Sequence, residues 1–171
     1  MLFFLIGLPG CGKSTLGKKF AHVIRQPFYD LDQMIEQGEG LPIPDLFQSC
    51  GEEKFRETEK FYLSKLENLL TAVVATGGGT PCYHDNMELI NRMGTSIFLD
   101  ASPKEIAARL SENGIAKRPI LKGKSREEIC HTLESLRQIR LPFYSRAHIT
   151  ITHPTIHFSE ELLRDFPVQE Q

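Results

Sequence analysis

Residues 7–14, GLPGCGKS, have the types and spacing of a loop that holds phosphate groups. The segment matches the pattern GxxxxGK[ST] and lies between an apolar run at 2–6 and a stretch with helical spacing, as this pattern requires. Its glycines let successive N–H groups turn inward, and the following helix N-terminus adds partial positive charge. Lys13 would reach the β- and γ-phosphates of a nucleotide, and Ser14 would reach Mg²⁺. The predicted nucleotide-binding residues of the loop are Gly10, Cys11, Gly12, Lys13, Ser14 and Thr15.

The rest of the chain narrows the class of nucleotide-binding protein. It contains no Asn-Lys-x-Asp string of the kind that reads guanine in GTPases. Its 171 residues are few for a motor or a translocating ATPase. The sequence therefore favours a small kinase that passes the terminal phosphate to a metabolite.

Two aspartates lie at the end of the apolar run PFYDLD, 27–32. If the strand continues through 32, alternation points Asp30 and Asp32 the same way. One carboxylate would then face the magnesium shell, and the other would orient the acceptor hydroxyl and accept its proton. The alternative is that Asp30 ends the strand and Asp32 caps a helix that begins there.

Further candidates for the acceptor side are a run of glycines and three arginines. Gly77–Gly79 follow the buried run AVVAT, where a ligand could approach the backbone closely, although a plain tight turn has the same composition. Arg56, Arg118 and Arg140 could together grip a carboxylate or a phosphate through forked contacts. A lone arginine is more often a solvated surface residue, and sequence spacing does not show whether these three converge.

The elements that must position these residues alternate along the chain. Helical stretches separate five short apolar runs: 2–6, 27–32, 72–76, 95–100 and 148–152. This alternation predicts an α/β fold with a parallel sheet and helices on both faces. SPKE at 102–105 and SREE at 125–128 predict helix starts. Residues 33–60 and 112–124 do not fit the alternation, and the second segment is typical of a mobile loop over a site.

Composition excludes several functions and sets expectations for others. The chain length suits a single domain, and the net charge of −2 gives no electrostatic case for nucleic acid. Four dispersed cysteines indicate reduced thiols rather than a zinc site. The apolar start lacks a basic segment before it, and no run is long enough to span a bilayer. We expect a cytoplasmic monomer that binds neither nucleic acid nor membrane.

Six segments occur in an order that resembles the shikimate kinase family: GLPGCGKST, FYDLDQMIE, GEEKFRETE, VVATGGGT, KRPIL and RLPFYSRA. The resemblance runs from about residue 2 to 152. It implies a P-loop, nucleoside monophosphate kinase-like three-layer α/β/α sandwich with a five-stranded parallel sheet. It also implies one kinase domain over 1–171, with a substrate-binding insertion at about 33–60 and a lid at about 112–124.

The same resemblance implies an activity: ATP- and Mg²⁺-dependent phosphorylation of the 3-hydroxyl of shikimate, on the route to chorismate and the aromatic amino acids. Asp32 would bind the shikimate hydroxyls and act as the base, while Lys13 and Arg118 would act on the phosphates of ATP. Asp30 would join Ser14 at the metal, through water. The implied shikimate-binding residues are Asp32, Arg56, Gly78, Gly79 and Arg140. Near adenine, the stretch after the last apolar run offers His153, Pro154 or Thr155, of which Pro154 is assigned to ATP.

Two alternatives stay open from the residues alone. A kinase for gluconate or for a nucleoside monophosphate is the close one, because gluconate is also a small carboxylate. A non-catalytic module that senses ATP is the alternative from another class. The presence of both Asp30 and Asp32 argues against a sensor, which needs no base on the acceptor side.

Overall fold

The structure is a computed structural model that describes residues 1–116, 118 and 120–154. Its five strands form one parallel sheet in the order β2-β3-β1-β4-β5. The strands are β1 Leu2–Ile6, β2 Phe28–Asp30, β3 Ala72–Ala75, β4 Gly94–Asp100 and β5 Ile149–Thr152. The helices are α1 Lys13–Val23, α2 Leu31–Glu39, α3 Ile43–Lys65, α4 Asn86–Met93, α5 Pro103–Arg109, α6 Glu112–Ala116 and α7 Arg126–Tyr144. The predicted five-stranded parallel sheet is confirmed.

The middle of the sheet forms the core. Every residue of β1 and of β3 is buried, which explains why both read as unbroken apolar runs rather than as alternating ones. Helices α1 and α4 pack along the sheet, and α5 packs against α7. Phe20 of α1 sets its ring edge-on to Phe3 of β1, with 5.2 Å between the centroids.

The strand order creates a crevice at the carboxyl ends of β1 and β3. The connection from β1 to β2 crosses the sheet in one direction, and the connection from β3 to β4 crosses it in the other. Right-handed crossovers therefore leave these neighbouring strands toward opposite faces, and ligands of open α/β sheets bind where this happens. The glycine loop after β1 and Gly77–Gly79 after β3 both lie at this crevice.

Two local predictions are confirmed and one is wrong. Ser102 and Ser125 each cap a helix through a full capping box, at the two predicted helix starts. The strand predicted to run through 32 stops at Asp30, as the alternative held, but the residue that caps α2 is Asp30 itself and not Asp32. Asp32 is therefore in the first turn of a helix, and strand alternation does not set its direction.

The first of the two segments that broke the alternation is mainly helical, and the second, among its described residues, is helical only at its start. Residues 33–60 fall within α2 and α3, and α3 is broken at Gly51, whose φ of 79° is left-handed. The 112–124 segment begins with the short helix α6; Lys117 and Pro119 in it, and 155–171 at the end of the predicted domain, lie outside the described residues. Across the described ranges, no helix has the length and apolar character needed to cross a membrane. All four cysteines carry free thiols.

Candidate active site

The glycine loop connects β1 to α1 in the context that its pattern predicts. Gly10 and Gly12 have φ angles of 84° and 110°, and Gly12 is the N-cap of α1. A β-carbon at Gly10 would lie 2.9 Å from Ile106 Cγ2, so both conformation and space favour glycine there. The hydrogen bond from Leu16 N to Gly12 O is the first of α1, so the amides of Ser14 and Thr15 have no partner within the helix. This arrangement suits an anion such as a phosphate group.

Lys13 is buried inside this loop. Its Nζ donates to the carbonyl oxygens of Gly7 at 2.8 Å and Leu8 at 3.0 Å, and Cys11 Sγ lies 3.8 Å away. The Cys11 amide donates to Leu8 O at 3.1 Å, so this amide helps to form the turn itself. The lysine charge is thus positioned among the backbone groups that would surround a phosphate.

Ser14 and Asp30 meet across the crevice. Ser14 Oγ donates to Asp30 Oδ2 at 2.6 Å. Asp30 is also the N-cap of α2, and its Oδ1 accepts a long hydrogen bond of 3.5 Å from Gln33 N. A hydroxyl and a carboxylate are the hard oxygen ligands that Mg²⁺ takes alongside water and nucleotide phosphates. The Ser14–Asp30 pair fits this ion. The described residues contain no group of three or more His, Cys, Asp or Glu side chains that could hold a metal ion by themselves.

Asp32 lies beside the glycine turn even though it belongs to a helix. A β-carbon at Gly77 would be 2.7 Å from Asp32 Oδ1 and 2.9 Å from Glu59 Oε1. Burial first, and then the nearby carboxylates of Asp30 and Glu59, together raise the pKa of Asp32 from 3.8 to about 7, against the opposing charge of Lys13. A carboxyl group that titrates near neutral pH can accept a proton during a reaction.

Arg56 projects from α3 into the opposite side of the crevice. Its Nη1 donates to Glu59 Oε2 at 2.8 Å, and its Nη2 donates to Glu52 Oε1 at 3.1 Å. The ring of Tyr83 packs over the guanidinium with its centroid 4.2 Å from Cζ. A β-carbon at Gly79 would lie 2.8 Å from Arg56 Nη1, so the glycine lets the backbone approach the guanidinium.

Arg140 of α7 reaches the same glycines. A β-carbon at Gly78 would lie 3.0 Å from Arg140 Nη1, and that nitrogen is buried with no hydrogen-bond partner in the described part of the chain. Tyr144, one turn later on α7, donates its hydroxyl proton to Gly78 O and fixes the turn against the helix. Two guanidinium groups from separate helices therefore converge on Gly78–Gly79.

Several residues at this site escaped the sequence analysis, among them Glu59 and Arg109. Glu59 is 1% exposed and joins the two sides, because Oε1 accepts from Thr80 Oγ1 at 2.5 Å while Oε2 accepts from Arg56. Arg109 of α5 donates to Cys11 O at 2.9 Å and to Pro154 O at 3.5 Å. The helical spacing of Glu52, Arg56 and Glu59 would have indicated the first cluster. No local signal marks Arg109, whose partners are distant in sequence.

Of the remaining predicted residues, Pro154 lies near the glycine loop and Arg118 does not. Pro154 is buried and is linked to the loop through Arg109. Arg118 donates to Gly114 O in its own segment, and no contact among the described residues joins it to the phosphate loop. Thr155, the neighbouring adenine candidate, lies outside the described residues. The structure thus gathers the predicted site residues along one crevice, except Arg118, Thr155 and the adenine candidate His153, whose exposed ring pairs with Glu105.

Sequence comparisons find close similarity to one family. A family model described as shikimate kinase matches residues 9–166. A shikimate kinase of Bacteroides fragilis is 44% identical over 147 residues, which cover 85% of this chain and 80% of that protein. A shikimate kinase of Bacteroides thetaiotaomicron is 42% identical over 146 residues, covering 84% and 82% of the two chains.

Solved structures give the same result. The crystal structure of shikimate kinase from Bacteroides thetaiotaomicron has a TM-score of 0.87 at 37% identity and covers 97% of each chain. Shikimate kinase from Acinetobacter baumannii, solved in complex with shikimate, has a TM-score of 0.83 at 30% identity and covers 96% of this chain and 89% of that one. The match therefore extends over the sheet, the crevice and the helices that surround it.

Proposed function

This chain belongs to the shikimate kinase family, and we propose that its crevice holds the terminal phosphate of ATP at one end and the carboxylate of shikimate at the other. It is an ATP-dependent kinase that phosphorylates the 3-hydroxyl of shikimate. The single observation that carries the assignment of residues is the convergence of Arg56 and Arg140 on Gly78–Gly79, with Arg140 Nη1 buried and unpaired in the described part of the chain. A carboxylate would satisfy that nitrogen.

Asp32 is the proposed base. Its carboxylate lies beside Gly77 and Glu59 and is influenced by the charge of Lys13, and it would accept the proton of the acceptor hydroxyl as that oxygen bonds to phosphorus. A pKa of about 7 keeps a large fraction ionised at neutral pH and still favours proton uptake. Thr80, through Glu59, would hold Arg56 in place behind the acceptor.

Lys13 is proposed to exchange its two carbonyl partners for phosphate oxygens and to offset the charge on the transferred group. Ser14 and Asp30 would hold Mg²⁺, which when bound supplies further charge neutralisation at the phosphates. We assign about 33–60, in α2 and most of α3, to the acceptor-binding insertion, and about 112–124 to a lid. Arg118 would have to leave Gly114 O for the lid to bring it to ATP.

The decisive experiment uses Arg140→Lys and Arg56→Lys in an ADP-release assay. Each variant keeps the positive charge but loses the fork, so we expect the KM for shikimate to rise about tenfold or more while the KM for ATP changes little. Wild-type protein assayed with gluconate and with AMP controls for acceptor class. An unchanged KM for shikimate in both variants would place the acceptor carboxylate elsewhere.

A further inference from the structure

Arg56 holds a second carboxylate that the proposed reaction does not use. Glu52 Oε1 accepts from Arg56 Nη2 and from the hydroxyl of Tyr83, each at 3.1 Å. The two carboxylates on this arginine differ in exposure, because the side chain of Glu52 is 57% exposed and that of Glu59 is 1% exposed. Glu59 is thus a fixed partner of Arg56, and Glu52 is one that solvent can replace.

Rings restrict how a ligand can reach this guanidinium. The Cζ atom of Arg56 lies 4.2 Å from the ring centroid of Tyr83 and 5.3 Å from that of Phe55. Glu59 takes Nη1, and Nε is buried without a partner among the described residues. Nη2 is therefore the nitrogen of Arg56 that a ligand can reach, because its partner Glu52 is exposed to solvent. An incoming carboxylate that makes a forked contact with Arg56 meets Glu52.

The charges in the cluster support the same conclusion. Arg56 and Arg140 carry two positive charges and Glu52 and Glu59 two negative ones, so these four groups balance, and the neighbouring Asp32 adds no positive charge. A ligand carboxylate would add an uncompensated negative charge in a partly buried site, where such a charge is unfavourable. Neutrality returns if Glu52 turns out into water when the ligand enters. The side chain of Glu52 is already more than half exposed, so its carboxylate can turn into solvent.

We propose that Glu52 is a displaceable internal carboxylate that competes with the carboxylate of the acceptor for Nη2 of Arg56. It lowers the affinity of the site for acidic acceptors and sets a threshold that weaker anions do not overcome. This inference rests on the proposed function, since it assumes that Arg56 binds the carboxylate of shikimate. It makes Glu52 a specificity-determining residue outside the reaction itself.

The test measures shikimate binding by calorimetry in wild-type protein, Glu52→Gln and Glu53→Gln. Glu53 is exposed on the same helix, so its variant matches the change in net charge without touching Arg56. We expect Glu52→Gln to tighten shikimate binding about two- to fivefold, the range of an exposed ion pair, and Glu53→Gln to leave it unchanged. The gain should shrink in 0.5 M salt, which is a high concentration relative to about 0.15 M in the cell. Binding of methyl shikimate, which lacks the charge, should not tighten.

Weaker or unchanged shikimate binding in Glu52→Gln would overturn the proposal, as would an equal gain in Glu53→Gln or with the methyl ester. Arg56→Lys separates this failure from failure of the proposed function. If Arg56→Lys weakens shikimate binding and Glu52→Gln does not tighten it, the carboxylate site stands and the competition is rejected. If neither substitution changes binding, both are rejected.

Discussion

Replacement of Asp32 by asparagine should stabilise the protein while it removes activity. The raised pKa means that, between about pH 4 and pH 7, the folded state binds a proton that the unfolded state has released. The free energy of unfolding therefore falls as the pH rises through this window, and below it both states are protonated and no difference remains. Asparagine does not ionise, so the free energy of unfolding of Asp32→Asn should not fall in this way as the pH rises.

The size of the effect follows from the two pKa values. A pKa of about 7 against 3.8 corresponds to at most about 4 kcal/mol, at about 1.4 kcal/mol per pH unit. Asp32 is only half-buried, so solvent screens part of this energy, and we expect about 1–2 kcal/mol. The origin is burial of the carboxyl group between Asp30, Glu59 and the glycine turn.

Urea unfolding at pH 5 and pH 8 measures this effect. Between pH 5 and pH 8, the unfolding free energy of the wild type should fall by about 1–2 kcal/mol more than that of Asp32→Asn. Asp45→Asn serves as the control, because Asp45 is an exposed carboxylate in the first turn of α3, as Asp32 is in the first turn of α2. That control should show no comparable gain.

The same variant tests the base. Wild-type kcat/KM should rise with pH up to about 7, as Asp32 loses its proton, and Asp32→Asn should lose this rise along with about a hundredfold or more of kcat. The reasoning is refuted if the unfolding free energies of Asp32→Asn and wild type run parallel across pH. Retention of kcat within tenfold at pH 8 would refute the assignment of the base and leave the burial argument intact.

Two further substitutions test the ends of the crevice. Lys13→Ala removes the charge held at Gly7 O and Leu8 O, so ADP release should fall about a hundredfold or more while circular dichroism shows an intact fold. Thr80→Val leaves Glu59 Oε1 without its hydrogen-bond donor. The unfolding free energy should therefore fall by about 1–3 kcal/mol, and the KM for shikimate should rise. Thr80→Ser, which keeps the hydroxyl, is the control. A Thr80→Val variant with wild-type stability and KM would show that this bond positions nothing.

The glycine loop and the α/β fold could be predicted because their signals are local. The loop pattern, the apolar runs of β1 and β3, and the capping boxes at Ser102 and Ser125 each depend on residues that are close in sequence. The end of β2 could not be predicted from alternation, because DLD is compatible with a strand or with a capped helix start. Asp30 and Gln33 form that cap, and the helix that results aims Asp32 by its own geometry.

The sequence by itself determined the order of elements, the phosphate loop and the candidates for the acceptor side, since periodicity and turn chemistry act over a few residues. Only the tertiary structure decided that Arg56 and Arg140 meet at Gly78–Gly79, that Glu59 lies beneath them, and that Arg109 bridges Cys11 and Pro154. The physical reason is that these contacts depend on how α3, α5 and α7 pack around the sheet. That packing is set by the whole core, and no single stretch of the chain encodes it.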